Sequence, residues 1–78
     1  MREKIVISNI DLNILHFLKE ERFVKDLIEE FGGDYLFIKN HTNRLKQLDS
    51  YDEIRFGTFK KLKINKKGEE ILKVLLWK

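Results

Sequence analysis

The sequence predicts an α+β domain, mostly helical, made of three helices, a β-hairpin and a C-terminal helix. Apolar residues recur at helical spacing from Ile10 to Leu48, the period drops to two between Ile54 and Ile64, and a helical run closes the chain over residues 66–77. With 78 residues, no proline and no cysteine, the chain reads as one domain, residues 1–78, at the small end of what buries its own core.

The first helix is expected over residues 9–20. Ser8 is placed to cap it, Asp11 three residues on to answer the cap, and Ile7 with Leu12 to form a hydrophobic staple. Ile10, Ile14, Leu15, Phe17 and Leu18 share its broad apolar face. A break at Glu21-Arg22-Phe23 precedes a second helix over 24–31, in which Val24, Leu27, Ile28 and Phe31 make the buried stripe. Gly32-Gly33 stop that helix and turn a tight corner. Asp34 then caps a third helix over 34–48, with Ile38, His41 or Thr42, Leu45 and Leu48 inward and Lys39, Asn40, Asn43, Arg44, Lys46 and Gln47 outward.

Past the polar turn Asp49-Ser50-Tyr51-Asp52, Ile54 and Phe56 alternate with Arg55, and Leu62 and Ile64 with Lys61 and Lys63. We expect a hairpin over 53–64 that pairs Ile54 with Leu62 and Phe56 with Lys60 around a three-residue loop, leaving a cationic outer face. Asn65 caps the last helix, 66–77, where Glu69 and Glu70 lie near the positive end of the dipole. From Ile71 to Trp77 only Lys73 is polar, which is more apolar surface than one buried stripe needs.

Charge is unevenly spread. The net charge is +3, yet residues 1–37 carry 5 Lys/Arg against 8 Asp/Glu and residues 38–78 carry 11 against 5. Such asymmetry is a footprint of polyanion binding, although solvated charge runs are the commoner case. The run KKLKINKKG concentrates five lysines in nine residues. Absence of cysteine excludes a disulfide scaffold, a thiolate metal site and a thiol nucleophile. No stretch reaches the ~18 apolar residues of a membrane span, and a cytoplasmic, soluble protein is expected. His16 and His41 lack companions for a metal constellation, so packing or surface roles are expected of them and no cofactor. The adjacent acidic pairs, such as Glu29-Glu30, diverge by about 100° on a helix and cannot converge on a substrate. No phosphate loop or nucleophile elbow is present, no small-molecule site is evident, and an enzyme is not expected.

The segments RLKQLDSYDEI and LKINKKGEEIL resemble the end of a recognition helix, two wing strands and the Leu-Thr-x-Lys-Gly-x-x-x-Leu start of a C-terminal helix. That pattern is found in small bacterial and archaeal winged helix-turn-helix DNA-binding proteins. Here Asn65 stands where those proteins usually have threonine, and FGGDYLF is longer than their usual turn between the second and third helices.

The resemblance implies a third helix in the major groove of double-stranded DNA, with the hairpin as a wing over the flanking backbone. Asn40, Asn43 and Gln47 suit adenine, and Arg44 and Lys39 suit guanine or phosphate. Arg55, Lys60, Lys61 and Lys63 are the wing cations, with Lys61 and Lys63 on one side of the strand. Lysines on edge strands also prevent aggregation, which is compatible with phosphate contact. Tyr35 is expected to pack in the corner and Phe59 to be buried. Ile71, Leu72, Leu75, Leu76 and Trp77 are expected to form a homodimer interface that pairs two recognition helices, with the strand-like segment of residues 4–7 or the first helix assisting. The expected function is transcriptional regulation by sequence-specific binding. Its rivals are a winged-helix protein-interaction module and a non-specific DNA-packaging protein.

Overall fold

The computed structural model describes residues 7–76. Its elements are α1 (Asn9–Phe17), β1 (Arg22–Phe23), α2 (Val24–Phe31), α3 (Tyr35–Gln47), β2 (Tyr51–Phe56), β3 (Phe59–Ile64) and α4 (Lys66–Leu76). The strands form one antiparallel sheet in the order β1-β3-β2. Among the described residues no helix is long and apolar enough to cross a membrane.

Local caps start the helices. The Ser8 hydroxyl accepts from the Asp11 amide at 3.1 Å, and the Asp11 carboxylate accepts from the Ser8 amide at 3.0 Å. α1 ends at Phe17, short of the expected residue 20, because the Leu18 carbonyl turns away to accept from the Ile64 amide at 2.8 Å. That bond ties the end of the first helix to the sheet. Asp26 accepts from the Phe23 amide at 2.9 Å at the start of α2. Gly32 and Gly33 close the helix with φ of 75° and 80°, and a Cβ on Gly33 would stand 2.9 Å from the Phe37 ring. Asp34 then caps α3 by accepting from the Phe37 amide at 2.9 Å.

β1 is a correction. The segment read from the sequence as a break is a third strand, with Arg22 opposite Leu62 and Phe23 opposite Lys61. Two residues are too few to display a period of two.

The hairpin register is a second correction. Ile54 pairs with Lys61 and Phe56 with Phe59, around the two-residue turn Gly57-Thr58, and not Ile54 with Leu62 and Phe56 with Lys60. Gly57 supplies a φ of 59° at the first turn position, as two-residue hairpins favour. Tyr51, opposite Ile64, explains the register. Both are buried, and the Tyr51 hydroxyl donates to the Thr42 carbonyl at 3.2 Å, so Tyr51, Leu62 and Ile64 define the inward face. Ile54 and Phe56 therefore fall on the other face. Phe59, expected in the core, is 65% exposed.

α4 is anchored through the turn before β2. Asn65 accepts from the Gly68 amide at 2.9 Å and donates to the Asp49 carbonyl at 2.9 Å. A Cβ on Gly68 would lie 2.1 Å from the Ser50 carbonyl oxygen, so the glycine of KKLKINKKG is a packing requirement. Ile14, Leu15, Leu18, Leu27, Ile38 and Leu45 form the fully buried centre, joined by Leu62, Ile64 and Leu72. Burying each such side chain stabilises the fold by about 1.5–3 kcal/mol.

Candidate nucleic-acid interface

α3 presents four distinct sides. Ile38, Thr42 and Leu45 point into the core. Leu36, Asn40, Asn43 and Gln47, spaced at four, three and four residues, make a continuous exposed stripe. Tyr35, Lys39 and Lys46 flank it and, with Asn43, line a polar groove against Tyr51, Glu53 and Lys60 of the hairpin.

The fourth edge of the helix is clamped to α1. Asp11 is fully buried, and its carboxylate receives the Ser8 amide, the Arg44 Nε–H at 3.1 Å and the His41 ring at 2.5 Å. The short His41 contact assigns the Nδ1 proton to the Asp11 bond, so Arg44 Nη2, 3.0 Å from the same nitrogen, shares no proton with it. Burial raises the Asp11 pKa, and the Ser8 amide, His41 and Arg44 more than offset it, holding the carboxyl below its ordinary value. Arg44, expected among the DNA contacts, is thus committed to α1. Tyr35, expected to pack in the corner, is 55% exposed, with the Lys39 ammonium 5.7 Å from its ring centroid.

The wing cations separate into paired and exposed groups. Glu53 lies 3.7 Å from Lys60 and 3.6 Å from Lys46, linking the hairpin to α3. Lys61 lies 3.6 Å from Glu21 and also stands over the Phe23 and Phe56 rings. Arg55 and Lys63 are exposed, and Lys63 is opposite Asp52 across the ladder. Burial, followed by the Glu53 carboxylate, pushes the Tyr51 hydroxyl up to about 12.

No family model matches the sequence, and no curated protein matches it. A solved structure described as a possible transcriptional regulator for arsenical resistance does match in fold. Its TM-score is 0.64 at 20% identity, over 85% of this chain and 67% of that one. This chain has the winged helix-turn-helix fold. Within it α2 and α3 are the helix-turn-helix pair, and the β2–β3 hairpin is the wing.

On that frame the sequence-predicted residues part company. Lys39, Asn40, Asn43 and Gln47 share the outer side of α3, Arg55 lies on the wing face of Lys60 and Glu53, Lys63 lies with Lys61 on the opposite face, and Lys60 and Lys61 hold carboxylates. Of the expected dimer residues, Leu72 is 5% exposed and fills the core, a correction, and Ile71 packs partly against the same core. Leu75 is exposed beside Val74, and both line a shallow apolar hollow with Ile7, Leu48 and Ile71. Trp77, most of the segment of residues 4–7, and the Leu76 side chain lie outside the described residues. Sequence reasoning missed Leu36, whose place four residues before Asn40 is the signal that puts it on the exposed stripe. It also missed the clamp, because Asp11 was read only as a cap.

Proposed function

We propose that this winged helix is a homodimeric, sequence-specific double-stranded DNA-binding protein that regulates transcription by occupying a promoter site. The observation that carries the reading is the exposed stripe of Leu36, Asn40, Asn43 and Gln47 on the helix at the recognition position. Side-chain amides pair with the donor and acceptor edge of adenine, and an apolar side chain suits the thymine methyl group, so the stripe fits A·T-containing sequence in the major groove. Lys39 and Arg55 supply phosphate contacts, Lys60 engages DNA only by exchanging Glu53 for phosphate, and Lys61 and Lys63, on the other face of the wing, reach only backbone that flanks the site. Arg44 serves the site by fixing α3 on α1. In the homodimer the exposed Val74 and Leu75 of α4 meet their symmetry mates, which places two recognition helices across a pseudo-palindrome.

Titration of a selected duplex and a random duplex at several salt concentrations tests the reading. A regulator shows a salt slope of several phosphates and prefers its site by about 10³-fold or more. A packaging protein keeps the slope without the preference, and a protein-interaction module shows neither.

A further inference from the structure

The register of the wing gathers Phe23, Ile54, Phe56, Phe59 and Lys61 on the sheet face opposite the buried Tyr51, Leu62 and Ile64, away from α3. Lys61 stands between two rings, 5.1 Å from the Phe23 centroid and 4.8 Å from that of Phe56. Phe23 and Phe59 meet edge to face at 6.0 Å. β1 pairs with β3 only at Arg22 and Phe23, so past Phe23 the edge of β3 is open, and a hollow of about 380 Å³ forms there. Phe23, Val24, Lys25, Thr58, Phe59 and Lys60 line it, two rings and two lysines without a carboxylate. Its volume is within the ~300–1,000 Å³ of small-ligand sites.

Two exposed rings, at 54% for Phe56 and 65% for Phe59, interleaved with cations are an unfavourable surface to leave in water. Their chemistry calls for a flat, apolar, π-bearing group that carries negative charge. A purely apolar partner has no use for the lysines, and a duplex keeps its base faces stacked out of reach. We propose that this face binds an unpaired nucleic-acid strand, with a base stacked on Phe59 beside Phe23 and the adjoining phosphates on Lys25 and Lys60. Lys25 has no ion-pair partner among the described residues, whereas Lys60 shares its charge with Glu53. The rings of this site lie away from the α3 stripe, although Lys60 lines both this hollow and the groove beside α3.

The test is fluorescence anisotropy of a labelled oligothymidine of about 15 nucleotides, within the span of known single-strand sites. Wild type is expected to bind it at low salt, and Phe59→Ala to weaken binding about tenfold, the scale of one lost base–aromatic stack. Phe59→Trp is expected to retain affinity, and Phe59→Leu to lose it as the alanine variant does. Because Phe59 is exposed these variants fold, which circular dichroism checks. Duplex affinity is read in parallel and is expected to be unchanged by Phe59→Ala. No binding by wild type, full binding by Phe59→Leu, or equal losses for strand and duplex each overturn the proposal. So does a change in molecular mass on Phe59→Ala, which makes the patch a contact between copies.

Discussion

Asp11 carries three jobs with one carboxylate: it closes the α1 cap, orients His41 and holds Arg44. Because its folded pKa is lowered from an ordinary 3.8, its stabilisation is complete above that pH and is lost as pH falls through the folded value. Removing one partner of a buried pair leaves the others uncompensated, so Asp11→Asn should cost about 3 kcal/mol at neutral pH. Urea denaturation should show that deficit shrink once the pH falls below 3.8. Tyr51 has the opposite sign: its raised pKa favours the neutral phenol, and that stability persists to pH 10 and disappears as the pH climbs through about 12. Glu53→Gln removes the carboxylate that adds to the effect of burial, and an absorbance titration should then place Tyr51 lower than in wild type.

At the scale of the element, what the sequence displayed locally is what it predicted well. Ser8, Asp34 and Asn65 announce helix starts within four residues, and each makes the bond that its position requires. The hairpin was legible as a hairpin but not in register, because alternation fits two pairings, and Tyr51, outside the alternating run, chooses between them from the core. β1 was illegible for a related reason: its partner lies about forty positions away and its own pattern is two residues long. The Asp11 clamp spans 30 and 33 positions to His41 and Arg44, so no local spacing reveals it, and Arg44 read as an ordinary exposed cation of α3. Gly68 tests the joint between α4 and the Ser50 turn. A Cβ there meets a backbone oxygen that has no rotamer to yield, so Gly68→Ala should cost more than about 2 kcal/mol in thermal or denaturant unfolding.

Across the whole molecule, the surplus of positive charge in the second half of the chain is partly spent internally, on Glu53, Glu21 and Asp11. On the proposed reading, the surface that remains for a duplex is the α3 stripe with Lys39, and Arg55 on the wing face of Lys60. Assembly is a separate prediction: Val74→Glu with Leu75→Glu, both at exposed positions, should convert a dimer to a monomer by light scattering while leaving the fold intact. A wild type that is already monomeric contradicts the dimer. The central claim, that the outer stripe of α3 reads bases, is tested most directly by the ratio of affinities for a selected and a random duplex, with and without Asn43→Ala. Wild type should show a ratio of about 10³ or more, and Asn43→Ala should cut it by roughly 5- to 150-fold, the ~1–3 kcal/mol of one base contact, at an unchanged salt slope. A ratio near one in wild type, or a variant that retains the full ratio, would contradict it.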